Sequence, residues 1–313
     1  MALSRALRHR PEVVICIAPS LLSGPLAWLA ARAARARRWL HVQDFEADAA
    51  LSTGLVGPGP LARLLRGLEA WVLRRADRIS TIGPAMASRL HNKGVPAERI
   101  VEVRNWATAP EPEARGDYRR EWGLGERTVA LYSGSLGRKQ GASLLLEAAE
   151  RLRGREDLVL VICGEGPELS ELQARAAGLS NVRIRPLQPA SRLMELLETA
   201  DIHLLPQVDA AADLVLPSKL TNMLASGRPV IATAACGTGL FDEIEDCGIA
   251  VAPGDAAALA DAITRVADDP ALAAKLGKAA AARADQRWSR DAILLEFEGE
   301  LLRLGADPKA GRR

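Results

Sequence analysis

Short aliphatic runs alternate along this chain with stretches whose apolar positions recur at helical spacing. VVICIA (residues 13–18) and residues 39–43, 78–82 and 100–104 are brief, rich in β-branched residues and bounded by turn residues, and read as strands. PLAWLAARAARA, running to about Arg37, and residues 61–75 read as helices between them, and a further helix starts at Gly83-Pro84 and is closed by Gly94. Residues 107–117, ATAPEPEARGD, lack periodicity and read as a linker. From Thr128 the alternation resumes: VALYSGS, LVLVICGEG, VRIRPL, DIHLLPQ and RPVIATA as strands, with ASLLLEAAERLRG, ELSELQARAAG, SRLMELLETA and SKLTNMLASG as the helices between them. An Ala-rich helical tail follows from Asp255. Nearly continuous aliphatic strands in strict alternation with helices predict parallel, doubly wound sheets, whose ligands sit at the C-terminal strand ends. The expected domains are residues 1–107, a linker over 108–122, a second domain over 123–288, and a C-terminal helix and tail over 289–313.

Composition narrows this picture. The 313 residues suffice for two ordinary domains, and 48% apolar with only 4% aromatic residues suits Ala/Leu-rich helices around aliphatic strands. Four scattered cysteines and four histidines show no metal-ligand spacing, so free thiols and no metal site are expected. Residues 13–31 carry no charge and follow a basic start, as in a signal peptide or membrane span. The Pro and Gly residues in their middle favour a strand–loop–helix reading. Charge is uneven: residues 1–104 carry 16 Lys and Arg against 8 Asp and Glu, and the remainder 25 against 31. A basic first half implies either an anionic partner, such as a membrane surface bearing a lipid-phosphate acceptor, or a solvated arginine-rich surface.

Four segments carry candidate chemistry. Ser133-Gly134-Ser135-Leu136-Gly137-Arg138-Lys139-Gln140-Gly141 joins a strand to a helix. Its glycines admit close backbone approach, and Arg138 and Lys139 follow at once, which suits a diphosphate as well as a plain turn with solvated charges. The spacing matches neither the Walker loop nor G-x-G-x-x-G. Gly164-Glu165-Gly166-Pro167 is a strand-end turn open to nucleotide contact. In Pro217–Pro229, Ser218 reads as an N-cap and Gly227 as a helix stop. That puts Lys219 in the first turn and Asn222 on the same face as Ser218, either for a phosphate and a ribose hydroxyl or as an ordinary capped helix. Cys236-Gly237-Thr238-Gly239 is a weaker small-residue turn.

Taken in order, SGSLGRKQG, CGEGPEL, NVRIRPLQP, ADIHLLPQ and LVLPSKLTNMLASGRPVIATA resemble the donor domain of family 4 retaining glycosyltransferases. HVQDFEADAA, DRISTIGPAM and IVEVRNW resemble the first domain of the colanic-acid-type fucosyltransferase-like branch. The resemblance implies two Rossmann-like domains facing a cleft (the GT-B type), no metal or cofactor, and a nucleotide-diphosphate sugar, GDP- or UDP-linked, as donor. It implies a glycan or lipid-linked acceptor in exopolysaccharide or cell-surface polysaccharide synthesis, no nucleic-acid partner, and a place in the cytoplasm or peripherally on the inner face of the membrane. By the same resemblance Gly134, Ser135, Gly164 and Gly166 lie near the diphosphate. Arg138, Lys139 and Lys219 neutralise it together with the Ser218 amide, Asn222 faces the ribose, and Leu187 and Gln188 lie beside the base.

The sequence departs from the family pattern at three places. Leu214 and Asn222 stand where the family has a pair of glutamates, and Asn bonds a hydroxyl more weakly than a carboxylate does. Ser135 and Gln140 stand where the family has Arg and Lys, leaving Arg138 and Lys139 to compensate. The family's opening loop and first βα units have no counterpart here, so the first domain is expected to be incomplete, and His41, Gln43 and Asp44 receive no assigned role. A sugar-transferring enzyme is the leading reading. The alternatives are a nucleotide-sugar-binding module without turnover, a nucleotide-sugar epimerase and, on weaker grounds, an NAD-dependent oxidoreductase.

Overall fold

The computed structural model describes residues 2–18, 23–45, 47–48, 57, 59–107, 117–208 and 216–306. They divide into two units: Met1–Asn105 together with the chain from Arg290, and Trp106–Ser289.

In the first unit, β1 (Val13–Ala18), β2 (Arg37–Val42), β3 (Arg78–Thr81) and β4 (Ile100–Glu102) form a parallel sheet in chain order. Around it lie α1 (Ala2–His9), α2 (Ser23–Ala34), α3 (Pro60–Arg75) and α4 (Pro84–Asn92). The helix expected to run to Arg37 stops at Ala34. Arg35 takes a left-handed φ of 60°, and the Ala36 amide closes back on the Ala31 carbonyl at 2.8 Å, a helix stop built without glycine. The strand expected over 100–104 ends at Glu102, and α1 is a helix that the sequence reading left out. A late helix, Arg290–Ala306, returns to this unit: Phe297 meets the fully buried Trp39 edge-on at 5.2 Å, and Glu300 pairs with Arg78 at 3.0 Å. Among the described residues β1 is an edge strand, and its Ile15 and Ile17 are exposed.

The second unit opens with the short helix α5 (Tyr118–Glu121). Its parallel sheet contains β5 (Thr128–Ser135), β6 (Leu158–Glu165), β7 (Val182–Arg185), β8 (Ile202–Leu205), β9 (Val230–Thr233) and β10 (Gly248–Val251), ordered β10-β9-β8-β5-β6-β7. The connecting helices are α6 (Ser143–Arg151), α7 (Leu169–Ala176), α8 (Leu193–Thr199), α9 (Lys219–Ala225), α10 (Gly239–Ile244), α11 (Ala256–Asp268) and α12 (Pro270–Trp288). Both sheet faces are buried, which explains the unbroken aliphatic strands. Ala130, Leu160 and Ile162 pack with Leu145 and Ile263 on one face, whereas Val129, Leu131 and Val161 pack with Leu196 on the other. Short α10 and β10, six and four residues, are absent from the sequence reading because neither is long enough to show a period.

Candidate functional site

The strand order of the second unit reverses at β5. The chain proceeds outward through β6 and β7, then crosses to β8, β9 and β10 on the other side. β5 pairs with β6 along its whole length, up to Ser135↔Glu165. It pairs with β8 only at Ala130 and Leu131. Residues 132–135 therefore run on past β8 at the C-terminal strand ends, the place where doubly wound sheets take ligands. The loop after β8 is held by Thr233, whose hydroxyl donates to the Gln207 carbonyl and accepts from the Gln207 amide, both at 2.7 Å.

Lys219, the first residue of α9, reaches into this place. Its Nζ donates to the Tyr132 hydroxyl at 3.0 Å and lies 4.2 Å from the centre of the Tyr132 ring. The Tyr132 hydroxyl in turn donates to the Ser135 carbonyl. Gly134 has a φ of 144°, and a Cβ built on it would stand 2.6 Å from the Lys219 Nζ. The backbone angle calls for glycine here, and a side chain would also push the ammonium from its place over the strand end. Burial pushes the Lys219 pKa down to about 8. No carboxylate pairs with it among the described residues. A partly desolvated cation with a phenol as its hydrogen-bond partner, at the C-terminal end of a central strand, can take an anion as counter-charge. Tyr132 is the member that sequence reading missed; its one signal is a lone aromatic in an aliphatic strand.

The other expected site residues divide. Gly164 sits against Gly134, where an added Cβ would be 2.0 Å from the Gly134 carbonyl oxygen, and one on Gly166 would be 2.4 Å from that of Leu136. Their missing side chains are taken up by β5 and the residue after it. Ser135 ends β5, and Arg138 is exposed in the 3-10 turn Arg138–Gln140 without an ionic partner among the described residues. The Lys139 side chain and Leu214 lie outside the described residues. Ser218 does not cap α9: its φ and ψ of −58° and −24° are already helical, and its side chain makes no cap hydrogen bond. Gly227 does end that helix region, with φ of 69°. Asn222 is half-buried, one turn along α9 from Lys219. Two strands from β5, Leu187 is exposed. The Gln188 amide is tied at both ends, accepting from the Tyr118 hydroxyl at 2.9 Å and donating to the Pro186 carbonyl at 2.7 Å. Its side chain is thereby a brace for the loop after β7.

In the first unit a polar chain lines the C-terminal strand ends. Trp39 Nε1 donates to the buried Ser80 hydroxyl at 2.8 Å, and His41 Nδ1 meets the same oxygen at 2.8 Å. His41 Nε2 meets Gln43 Nε2 at 3.0 Å, and Gln43 pairs with Asn105. Burial lowers the His41 pKa, which favours the neutral ring. The Asp44 carboxylate accepts from the Phe45 amide at 2.7 Å.

A titration follows from the Lys219 site. Affinity for inorganic sulfate, whose charge is constant over this range, is expected to fall as pH rises through about 8, because the ammonium form attracts the anion. Bound anion raises this pKa, so the fall continues up to the bound-state value at no more than about tenfold per pH unit. Folding responds with the opposite sign: between about 8 and the ordinary 10.5, the unfolded chain binds the extra proton, so this group makes stability rise with pH. Calorimetry at pH 7, 8 and 9 checks this, and a pH-independent affinity would contradict it.

Residues 114–283 match the family Glycosyl transferases group 1, and residues 1–106 a glycosyl transferase 4-like domain. A protein of Escherichia coli (strain K12) described as a colanic acid biosynthesis glycosyl transferase, WcaI, is 38% identical over 256 residues, 78% of this chain and 63% of that protein. The GDP-mannose-dependent alpha-(1-6)-phosphatidylinositol monomannoside mannosyltransferase of Mycolicibacterium smegmatis is 30% identical over 295 residues, 90% of this chain and 74% of that one. The crystal structure of Anabaena HepE in complex with UDP is similar in fold, with TM-score 0.74 at 17% identity over 96% of this chain and 82% of that one. The chain thus spans about two thirds or less of the length of several curated relatives, 63% for WcaI.

Proposed function

The chain belongs to the glycosyl transferases group 1, and from that premise we propose that it moves a sugar from a nucleoside-diphosphate sugar to a glycan or lipid-linked acceptor, in exopolysaccharide or cell-surface polysaccharide synthesis. The observation that carries this reading is the Lys219 ammonium standing over Gly134 with no carboxylate beside it among the described residues. HepE is described with UDP and the Mycolicibacterium relative is named for GDP-mannose. What those donors share is the diphosphate, and the cations at the end of β5 are addressed to it.

In the transfer, the bond from the sugar's anomeric carbon to the diphosphate oxygen breaks, and the acceptor hydroxyl forms the new bond on the same face, with retention, its proton passing to an oxygen of the departing diphosphate. The electron pair goes to the departing nucleoside diphosphate while the sugar passes through an oxocarbenium-like state. Lys219 and Arg138 neutralise the growing charge, aided by the backbone at Gly134, as Mg²⁺ does in metal-dependent transferases. Asn222 serves the ribose, and the loop at Leu187 and Gln188, braced by Tyr118, lies beside the base. The basic first unit holds the protein against the membrane that bears a lipid-linked acceptor.

The test is turnover with UDP- and GDP-sugars and acceptor extracts, the product linkage being read by NMR. Acceptor-dependent release of nucleoside diphosphate with retained configuration is expected. Donor conversion without acceptor would instead indicate an epimerase. Arg138→Ala is expected to lower kcat by ~10²–10³, and unchanged turnover in that variant would remove Arg138 from the site.

A further inference from the structure

Tyr132 is fully buried, and its ring belongs to the core of the second unit with Leu136, Leu145 and Ile162. Its hydroxyl has two partners, and chemistry fixes the direction of both bonds. An ammonium only donates, so the Tyr132 oxygen accepts from Lys219 Nζ at 3.0 Å. The single phenol proton then goes to the Ser135 carbonyl. Burial and the charge of Glu168 raise the Tyr132 pKa, which keeps that proton on the oxygen. The hydroxyl therefore has no proton left for a ligand, and its work is done on Lys219 and the strand end.

The stem of Lys219 runs over bare backbone. The Cβ position of Gly134 lies 3.1 Å from Lys219 Cε and 3.7 Å from its Cδ. Its Nζ stands 4.2 Å from the Tyr132 ring centre, within cation–π range. A lysine side chain in water samples many rotamers, and ordering it is costly. Here one arrangement is held, and the group that holds it is itself locked by core packing. We propose that Tyr132 is a positioning residue, whose hydroxyl keeps the Lys219 ammonium over Gly134 and the Tyr132 ring so that the cation stands in place before an anion arrives. An arriving anion is then spared the cost of ordering the side chain. This rests on Lys219 meeting the diphosphate, as in the reading above. The first arm of the test needs no ligand, so the proposal and that reading can fail separately.

NMR of the whole chain, isotope-labelled at lysine Cε, reads the placement. The Lys219 signal is assigned by its loss in Lys219→Met. It is expected upfield of the exposed Lys275 and Lys278, because it lies by the Tyr132 ring. Tyr132→Phe keeps the ring and the core volume, and the exposed Ser135 can turn its carbonyl to water, so the fold is kept. In this variant the Lys219 signal is expected to move most of the way to those of Lys275 and Lys278. A signal that stays upfield overturns the proposal. Calorimetry with UDP and GDP is the second arm. Tyr132→Phe is expected to weaken the nucleotide that binds by about fivefold, the usual cost of ordering one long side chain. It should cost nothing further when added to Lys219→Met. An equal loss in both backgrounds would mean that Tyr132 acts without Lys219, and also overturns the proposal. If neither nucleotide binds the wild type while the NMR shift behaves as expected, the donor reading falls and the placement of Lys219 by Tyr132 stands.

Discussion

Lys219→Met is expected to weaken nucleoside-diphosphate binding by at least about 30-fold, the lower end of the loss on truncating one partner of a buried charge pair, while the free protein stays as stable as the wild type or gains slightly. Methionine keeps the length of the stem and removes the charge. In the free protein that charge is costly: burial drives its pKa down to about 8, and a phenol hydroxyl and ring stand beside it without a carboxylate among the described residues. A bound diphosphate would reverse the balance by supplying the missing counter-charge beside a largely desolvated ammonium. A residue that merely packs would behave the other way, losing stability on substitution and leaving ligand affinity alone. Parallel calorimetric binding and thermal melting separate the two.

Gly164→Ala is expected to cost the second unit about 3 kcal/mol, the upper end for forcing a methyl group into a packed site. That corresponds to a fall in Tm of roughly 6–12 °C for a domain of this size. The added Cβ would fall 2.0 Å from the Gly134 oxygen and 3.1 Å from Leu136 Cγ. β5 and β6 cannot part to relieve this, because Gly134 and Gly164 are register partners in a fully paired strand pair. Since Gly134 also seats Lys219, the variant should lose diphosphate affinity along with stability. Gly154→Ala is the control: nothing lies within 4 Å of its Cβ position, so a change within about 0.5 kcal/mol is expected. Equal melting temperatures for the two variants would contradict the close approach.

Much of this fold is written locally. Both faces of the second sheet are buried, so VALYS and LVLVIC announce themselves as strands by composition alone. Gly134 and Lys219 each stand out in the sequence by their strand-to-helix positions. What the sequence withholds is their meeting: Lys219 bonds a tyrosine 87 residues earlier, through a crossover that no local pattern encodes. Ser218 misleads for the same reason. Its residue type favours a cap, but the chain is already helical there and the hydroxyl does not reach the amides. The return of the last helix to Trp39 is a long-range packing event, invisible in its own leucine-rich but weakly periodic sequence. Gly164 and Gly166, read as ligand contacts, prove to be demanded first by the neighbouring backbone.

A nucleoside diphosphate seated at the end of β5 by Lys219 would stabilise the fold only while that ammonium is present. Thermal melting of the wild type and of Lys219→Met, with and without UDP and GDP, reads this out. Stabilisation of the wild type by about 3 kcal/mol at a hundred times the dissociation constant, with little or none in the variant at the same concentration, is the predicted result. Equal stabilisation of both proteins, or of neither, would contradict the account.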